Sequence, residues 1–509
     1  MVKNGTGDNA LLSQPTYVPH LSSRRIMLTI DRDHEPTSLN RTPSHYNPLS
    51  NFALPKGENR HYQQQFADMY FARLAALKGP TDDIAAESFG GFEIAGETAT
   101  RVDRVLDVRQ GELCWVTGTV YMELPLKPNI LDDIGKDHWI AAPPPRVKFL
   151  SPGGGDQTML EDESGRLRLV GDALKDVMLV TGAIVSVLGT ENADGDFEVL
   201  DVRVPDLPRQ PQRWEREDGK AAVDGKKAPK REKAGKVAVV SGLRMSGEDG
   251  DTLSLDLLAE YLLGEAASHE EQEETATISR LIIAGNSVNA SPIPNHDELA
   301  AKKTKKYGYD SAAYNPVPTD RFDSWLATLL PSLPVTLLPG DADPTSIALP
   351  QPPIHQAMFP HARAYMELPT SGLIGSFDSA TNPYEFDLDG WRFVGTGGQT
   401  VDDVFRYVPG DDRLEMMEAM LRWRLLAPTA PDTLWCYPYQ DGDAFVMKEC
   451  PHVFFVGNQP KFETTIVEGP LGQVVRVVAV PEFKKTGEVV LLDLETLEPE
   501  LVKVGIFEG

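Results

Sequence analysis

From residue 237 onward the apolar residues arrive in short unbroken runs, separated by stretches with helical spacing. VAVVSG (237–242), RLIIAGN (280–286), VTLLPGD (335–341), WRFVGTGG (391–398) and HVFFVGN (452–458) read as strands. Between them, DTLSLDLLAEYLLGE (251–265) places Leu253, Leu257, Leu258, Tyr261 and Leu262 on one helical face, with Gly264 near its end. TDRFDSWLATLLPSLP (319–334) predicts a helix capped by Thr319 or Asp320 and stopped by Pro331. DDRLEMMEAMLRWRLL (411–426) predicts another, in which Asp412 and Glu415 match a capping box in outline. VRVVAVPEF and EVVLLDLETLEPELVKV add closing strands. Residues 237–509 therefore read as an α/β sheet domain.

The earlier part has a different rhythm. HYQQQFADMYFARLAALK (61–78) carries an apolar stripe at helical spacing and is expected to end at Gly79-Pro80, within a helical segment spanning 51–90. Residues 91–206 give strand signals: CWVTGTVYMEL (114–124), RVKFLSP (146–152), TMLEDESGRLRLVG (158–171), VMLVTGAIVSVLGTE (177–191) and DFEVLDVRV (196–204). Asp162-Glu163-Ser164-Gly165 reads as a hairpin turn. About five strands with a Pro-rich excursion (125–145) predict a small closed barrel of the oligonucleotide/oligosaccharide-binding (OB) type. Residues 1–50 lack apolar periodicity and are expected to be disordered. Residues 207–236 read as a solvated, charged linker or insertion. Its cluster KKAPKREK (226–233) fits a nuclear import address or a plain charged linker, and KKTKK (302–306) is a second basic run with the same two readings.

Composition narrows the function. A chain of 509 residues has room for about three domains. No run approaches the roughly 18 apolar residues of a membrane span, so a cytosolic or nuclear protein with no membrane partner is expected. The net charge of −27 works against a broad grip on phosphate backbones. The barrel's aromatics, Trp115, Tyr121, Phe149 and Phe197, are scattered, and its acids are as frequent as its bases; a docking or structural barrel fits better than a strand-binding one. Cys114, Cys436 and Cys450 form no close pair, which excludes a disulfide framework or a zinc knuckle by spacing.

In α/β sheets ligands bind beyond the carboxyl ends of strands, and five of these strands are expected to end at a glycine: Gly242, Gly285, Gly340, Gly395 and Gly457. The next residues are Leu243, Asn286, Asp341, Thr396 and Asn458. LLPGDADP (337–344) delivers Asp341 and Asp343, but the other ends deliver neutral groups, and none of the ten histidines follows any of these glycines. His452 begins a strand and is expected at the opposite edge. A two-metal hydrolytic centre needs several convergent carboxylates and imidazoles. This rim is underliganded, so no catalytic, cofactor-binding or metal residue is assigned, Asp341 and Asp343 included.

The order of these strand ends resembles the calcineurin-like metallophosphoesterases. The corresponding stretches read Ser241-Gly242-Leu243, Gly285-Asn286-Ser287-Val288-Asn289, Gly340-Asp341-Ala342-Asp343 and Gly457-Asn458-Gln459-Pro460, with most metal-ligand positions replaced. An OB barrel followed by such a degenerate, two-sheet α/β domain resembles the B subunits of replicative DNA polymerases, most sharply the small subunits of eukaryotic polymerase delta. LPGDADPTSIALPQPPIHQAMFP (338–360), TNPYEFDLDGWRFVGTGGQTVDDVFRY (381–407), APTAPDTLWCYPY (427–439) and ECPHVFFVGNQPKF (449–462) carry that resemblance. It implies a nuclear, non-catalytic scaffold without cofactors. The implied partners are the cysteine-rich C-terminal domain of the polymerase delta catalytic subunit and a third, extended accessory subunit. It also implies sharing with the polymerase zeta catalytic subunit, an indirect link to the sliding clamp, and DNA contact mainly through the complex. The alternatives are a residual metal-dependent phosphoesterase and single-strand binding through the barrel.

Overall fold

The computed structural model describes residues 39–55, 57, 60, 65–128, 146–215, 235–247, 252–265, 268–289, 315–366 and 375–505, with the backbone alone of Arg24–Arg25. The basic runs 226–233 and 302–306 and the stretch 129–145 lie outside these residues. The expectation of disorder over 1–50 does not hold for its described end. Tyr46–Pro48 (β1) pairs antiparallel with Tyr384–Leu388. The Arg41 guanidinium donates to the carbonyls of Thr275 at 3.0 Å, Ile278 at 3.2 Å and Leu262. Arg280 lies 3.7 Å from the centroid of the Tyr46 ring. A few side chains reaching more than 200 residues away fix this segment, and local periodicity cannot register such partners.

Helix α1 (Phe66–Phe89) runs through Gly79-Pro80, the expected stop. Proline removes the donor for the carbonyl four residues back. That residue, Ala76, is exposed, so water can serve it. Beyond the proline, Ala85 and Phe89 are buried with Leu113, Trp115 and Leu188 of the barrel, and this packing carries the helix onward. The barrel strands are β2 (Cys114–Glu123), β3 (Gln157–Glu161), β4 (Arg166–Val170), β5 (Ile184–Glu191) and β6 (Phe197–Arg203). They pair in the cyclic order β2-β3-β4-β6-β5-β2, the closed arrangement of an OB barrel. RVKFLSP (146–152) is not a strand. Its polar groups turn to the other domain: Lys148 donates at 2.7 Å to the carbonyls of Phe405, Val408 and Gly410, and the Phe149 amide donates to Arg406.

The linker expected from 207 begins as a packed strap. Arg424 donates to the carbonyls of Asp206 (2.6 Å) and Pro205 (2.8 Å), and Gln473 donates to Leu207 and Pro208. Gln210 reaches the carbonyls of Pro451 and Val474. A polar segment need not be solvated when another surface supplies its hydrogen bonds.

Two sheets follow. The first contains the parallel strands β7 (Lys236–Val240), β8 (Ile278–Ala284), β9 (Val335–Leu338) and β10 (Phe377–Ser379). The second contains β11 (Tyr384–Leu388), β12 (Trp391–Thr396), β13 (Val453–Gln459), β14 (Glu463–Glu468) and β15 (Val474–Pro481), with β1 at its edge. Strands β16 (Glu488–Asp493) and β17 (Pro499–Lys503) extend the first sheet beyond β7, and Arg24–Arg25 pairs parallel with Val502 and Lys503 at its edge. The longer helices are α2 (Thr252–Leu263), α3 (Val317–Leu329), α4 (Gln399–Tyr407) and α5 (Arg413–Arg422), with shorter ones at His269–Thr275 and Phe483–Thr486. Helix α3 starts before the expected Thr319/Asp320 cap, with proline in its first turn. Asp412 caps α5 by accepting from the Glu415 amide at 3.0 Å.

The unbroken apolar runs are explained by burial on both faces. Val237, Val239 and Ile282 face Phe393, Phe455 and Val478 between the sheets. Ala238, Val240 and Leu281 face α2 and α3. Phe454, Val456 and Val477 join α4, α5, α1 and the barrel interior in one continuous cluster.

At that junction Arg73 of α1 is fully buried. It donates to Asp443 at 2.6 Å, to the Pro428 carbonyl at 2.6 Å, and more weakly to Gly182 and Ala427. Arg73→Ala would strand a buried carboxylate, so a loss of about 3–5 kcal/mol is expected in urea unfolding. Adding Asp443→Ala should recover part of it; a loss below about 1 kcal/mol for Arg73→Ala would show that the pair does not pin the two domains.

Candidate functional site

The carboxyl ends of β7, β8 and β9 meet those of β12 and β13 in one rim. A Cβ on Gly285 (φ +85°) would lie 3.0 Å from the Gly397 Cα and 3.2 Å from the Gly340 Cα. A Cβ on Gly340 would come within 2.4 Å of the Asn286 backbone nitrogen. The turns are thus in contact through their backbones, which only glycine permits. Two of the five expected strand-end glycines play another part. Gly395 and Gly457 lie within β12 and β13, where they make room for the Phe455 ring and the Ala284 carbonyl. The turn of the second sheet is formed instead by Gly397-Gly398.

The structure brings Asn286, Asp343 and Asn458 together in the rim and separates Asp341 from Asp343. Asp341 is exposed, while Asp343 is buried and accepts from the amides of Gly340 at 2.7 Å and Val288 at 3.0 Å. Burial pushes its carboxyl up to about 6 against the opposing pull of these amides. Asn286, at φ +56°, accepts from the Ala342 amide at 3.0 Å. Asn458, at φ +57°, donates to the carbonyls of Gly397 (2.8 Å) and Ala284 (3.2 Å), and its own amide donates to the Ser241 hydroxyl. Leu243 and Thr396 are buried.

A second tier of amides, Gln351, Asn382 and Gln399, escaped the sequence reading. Asn382 donates to Gln351 at 2.8 Å and Gln399 at 2.9 Å and accepts from the Gly397 amide; Gln351 donates to the Gly340 carbonyl. Gln351 and Asn382 lie beside prolines in loops beyond the strand ends, and Gln399 is the first residue of α4; a neutral amide carries no chemical signature at either place. Among the described residues no group of three or more His, Cys, Asp or Glu side chains converges as a metal site would require. His452 stands just before β13, accepting from the Arg392 amide at 3.0 Å. Burial, with Arg392 nearby, lowers it to about 4. Burial raises the thiols of Cys114 to about 11 and of Cys436 and Cys450 to about 12, away from thiolate reactivity.

Several of the barrel's cations are paired with nearby carboxylates. Arg166 pairs with Glu161 at 2.6 Å, Arg101 with Asp82 at 2.6 Å, and Arg168 with Asp196. Tyr121 has Lys127 and Arg166 at 4.7 and 4.4 Å from its ring centroid, and Trp115, Phe149 and Phe197 are buried. Bases would need open aromatic faces to stack on.

Comparison with known proteins gives a consistent result. The family described as "DNA polymerase delta subunit OB-fold domain" matches residues 65–202, and the B-subunit family of DNA polymerase alpha/epsilon matches 237–464. The chain is 35% identical over 489 residues to the DNA polymerase delta small subunit of Saccharomyces cerevisiae, covering 91% of this chain and 93% of that protein. It is 34% identical over 463 residues to the DNA polymerase delta small subunit of Oryza sativa subsp. japonica (90% and 97%). It is 34% identical over 473 residues to the DNA polymerase delta subunit 2 of Drosophila melanogaster (92% and 99%).

Asp343 supplies a pH test. Its folded pKa is raised, so its contribution to stability is full below about pH 4 and is lost as the pH rises through about 6. Asp343→Asn carries no such titration. Between about pH 5 and 7.5 its melting temperature should therefore fall less than that of the parent. Parallel curves would mean that burial does not control this carboxyl.

Proposed function

The chain belongs to the DNA polymerase delta small-subunit family, and from that premise we propose that it is a non-catalytic scaffold of a replicative polymerase. The observation that carries this reading is the state of the strand-end rim. A catalytic centre presents polar groups to a substrate. Here Asn286, Asp343, Asn382 and Gln351 spend theirs on neighbouring turns. Residues 237–509 are a phosphoesterase-like domain that has lost its metal ligands, and 91–206 an OB barrel fastened to it. The junction through Arg73, Lys148 and the 205–214 strap suits a subunit that must present two partner surfaces in fixed relation.

In this proposal one surface holds the cysteine-rich C-terminal domain of the catalytic subunit and another holds a third, extended accessory subunit. The holoenzyme reaches the sliding clamp and DNA through these partners, and the polymerase zeta catalytic subunit uses the same docking mode. The protein acts in the nucleus, with KKAPKREK (226–233) and KKTKK (302–306) as candidate import addresses. The paired arginines of the barrel weigh against single-strand binding, and the amide-filled rim against residual phosphoesterase activity.

Co-expression with the catalytic subunit should yield a complex that survives gel filtration and is abolished by deleting the catalytic subunit's cysteine-rich tail; persistence without that tail would refute the docking mode. The isolated chain with manganese should not hydrolyse a generic phosphodiester above background. Turnover that disappears in Asp343→Ala would instead establish the phosphoesterase reading.

A further inference from the structure

Helices α2 and α3 lie side by side on the outer face of the first sheet and leave a groove of about 890 Å³ between them. Its floor is apolar: Met245, Leu255 and Trp325 are buried beneath it, and Val317 is 42% exposed at its edge. The Trp325 indole N–H is already given to the Leu255 carbonyl at 3.0 Å, so the floor offers carbon and no polar anchor from that ring.

The rim has one dominant sign of charge. Among the described residues, Asp256, Glu260, Glu265 and Asp320 line it, against a single cation, Arg321. None of these four carboxylates forms an ion pair among the described residues. Asp256 and Glu260 are one turn apart on α2, which carries no lysine or arginine over Thr252–Leu263. Like charges at that spacing destabilise a helix. An apolar trough edged by an excess of carboxylates is therefore left with a local cost that a cationic ligand would relieve.

We propose that this groove binds a basic amphipathic helix of a partner polypeptide, with apolar side chains on the floor and lysines or arginines against the rim. Helices of 12 and 13 residues are about 18–20 Å long, which matches roughly three turns of a helix laid between them. A second copy of this chain would bring the same acidic rim and a net charge of −27, and a nucleic acid is excluded by the same sign. The groove's chemistry is the same whichever complex the chain enters.

The test uses the full chain and a synthetic helical peptide of roughly 18 residues built from leucine and lysine, beside its leucine–glutamate counterpart. Titration calorimetry should show saturable binding of the lysine peptide alone, weakening as salt is raised. Asp256→Lys with Glu260→Lys should raise Kd at least about tenfold. Asp172→Lys with Asp194→Lys, the same charge change on the barrel, should alter it less than about twofold. Equal effects of the two double variants would reduce the binding to general attraction and overturn the proposal. Binding that appears only when Lys302, Lys303, Lys305 and Lys306 are serine would identify the chain's own insertion as the occupant and equally overturn it. Absence of binding in every form would do the same. Circular dichroism checks that the substitutions leave the fold intact.

Discussion

The structure turns on one buried cation. Arg73 cannot be hydrated where it lies, so every N–H it carries must find an acceptor in protein. Asp443 and the carbonyl oxygens of Pro428, Ala427 and Gly182 provide them. Through these bonds α1 is tied at once to a barrel turn and to two loops of the sheet domain. A small rotation of the barrel would break several bonds together, while the apolar cluster around it would tolerate sliding. Burying an ion pair gives little net stability over an apolar substitute of equal shape. The driving force is the shared cluster of α1, barrel and second sheet, and the arginine fixes the orientation.

That orientation is reinforced by contacts of the same character. Lys148 is held by three carbonyls and lies over the Phe405 ring at 3.3 Å. Lys127 pairs with Asp432 at 2.8 Å, and Asp432 also receives the Tyr407 hydroxyl. Arg424 clamps the strap. In each case a long cationic side chain crosses between domains and ends on fixed oxygen. The strand-end rim follows the same economy with neutral groups. Gln351, Asn382 and Gln399 each serve as donor and acceptor at once, so contacting turns are tied together around a single carboxyl, Asp343, that accepts from backbone amides.

Most of the sheet domain could be read from the chain because burial on both faces leaves an unbroken apolar signature, as in VAVV or LIIA. The barrel could be read from its alternation and from the Asp162–Gly165 turn, where Asp162 accepts from the amides of Ser164 and Gly165. What escaped shares one physical cause. Tyr46–Pro48, the continuation of α1 past Pro80, the turning aside of 146–152 and the packing of 207–215 are each decided by partners far along the chain. Within the rim, Asp343 and Asn286 could be placed because they follow strand ends. Gln351, Asn382 and Gln399 could not, because an amide's role depends on what surrounds it. Gly395 misled for a related reason: a glycine within a strand, cleared for a neighbouring ring, looks in sequence like one that ends it.

Arg73 and its carboxylate are 370 residues apart in sequence. During synthesis α1 and the barrel emerge long before Asp443, and throughout that interval the guanidinium has no carboxylate to pair with. The N-terminal helix must stay wet, or be held by other factors, until the second sheet and its loops have been made. A product arrested before that point would expose an apolar barrel flank and an unpaired cation together, a surface by which unfinished chains can be told from finished ones.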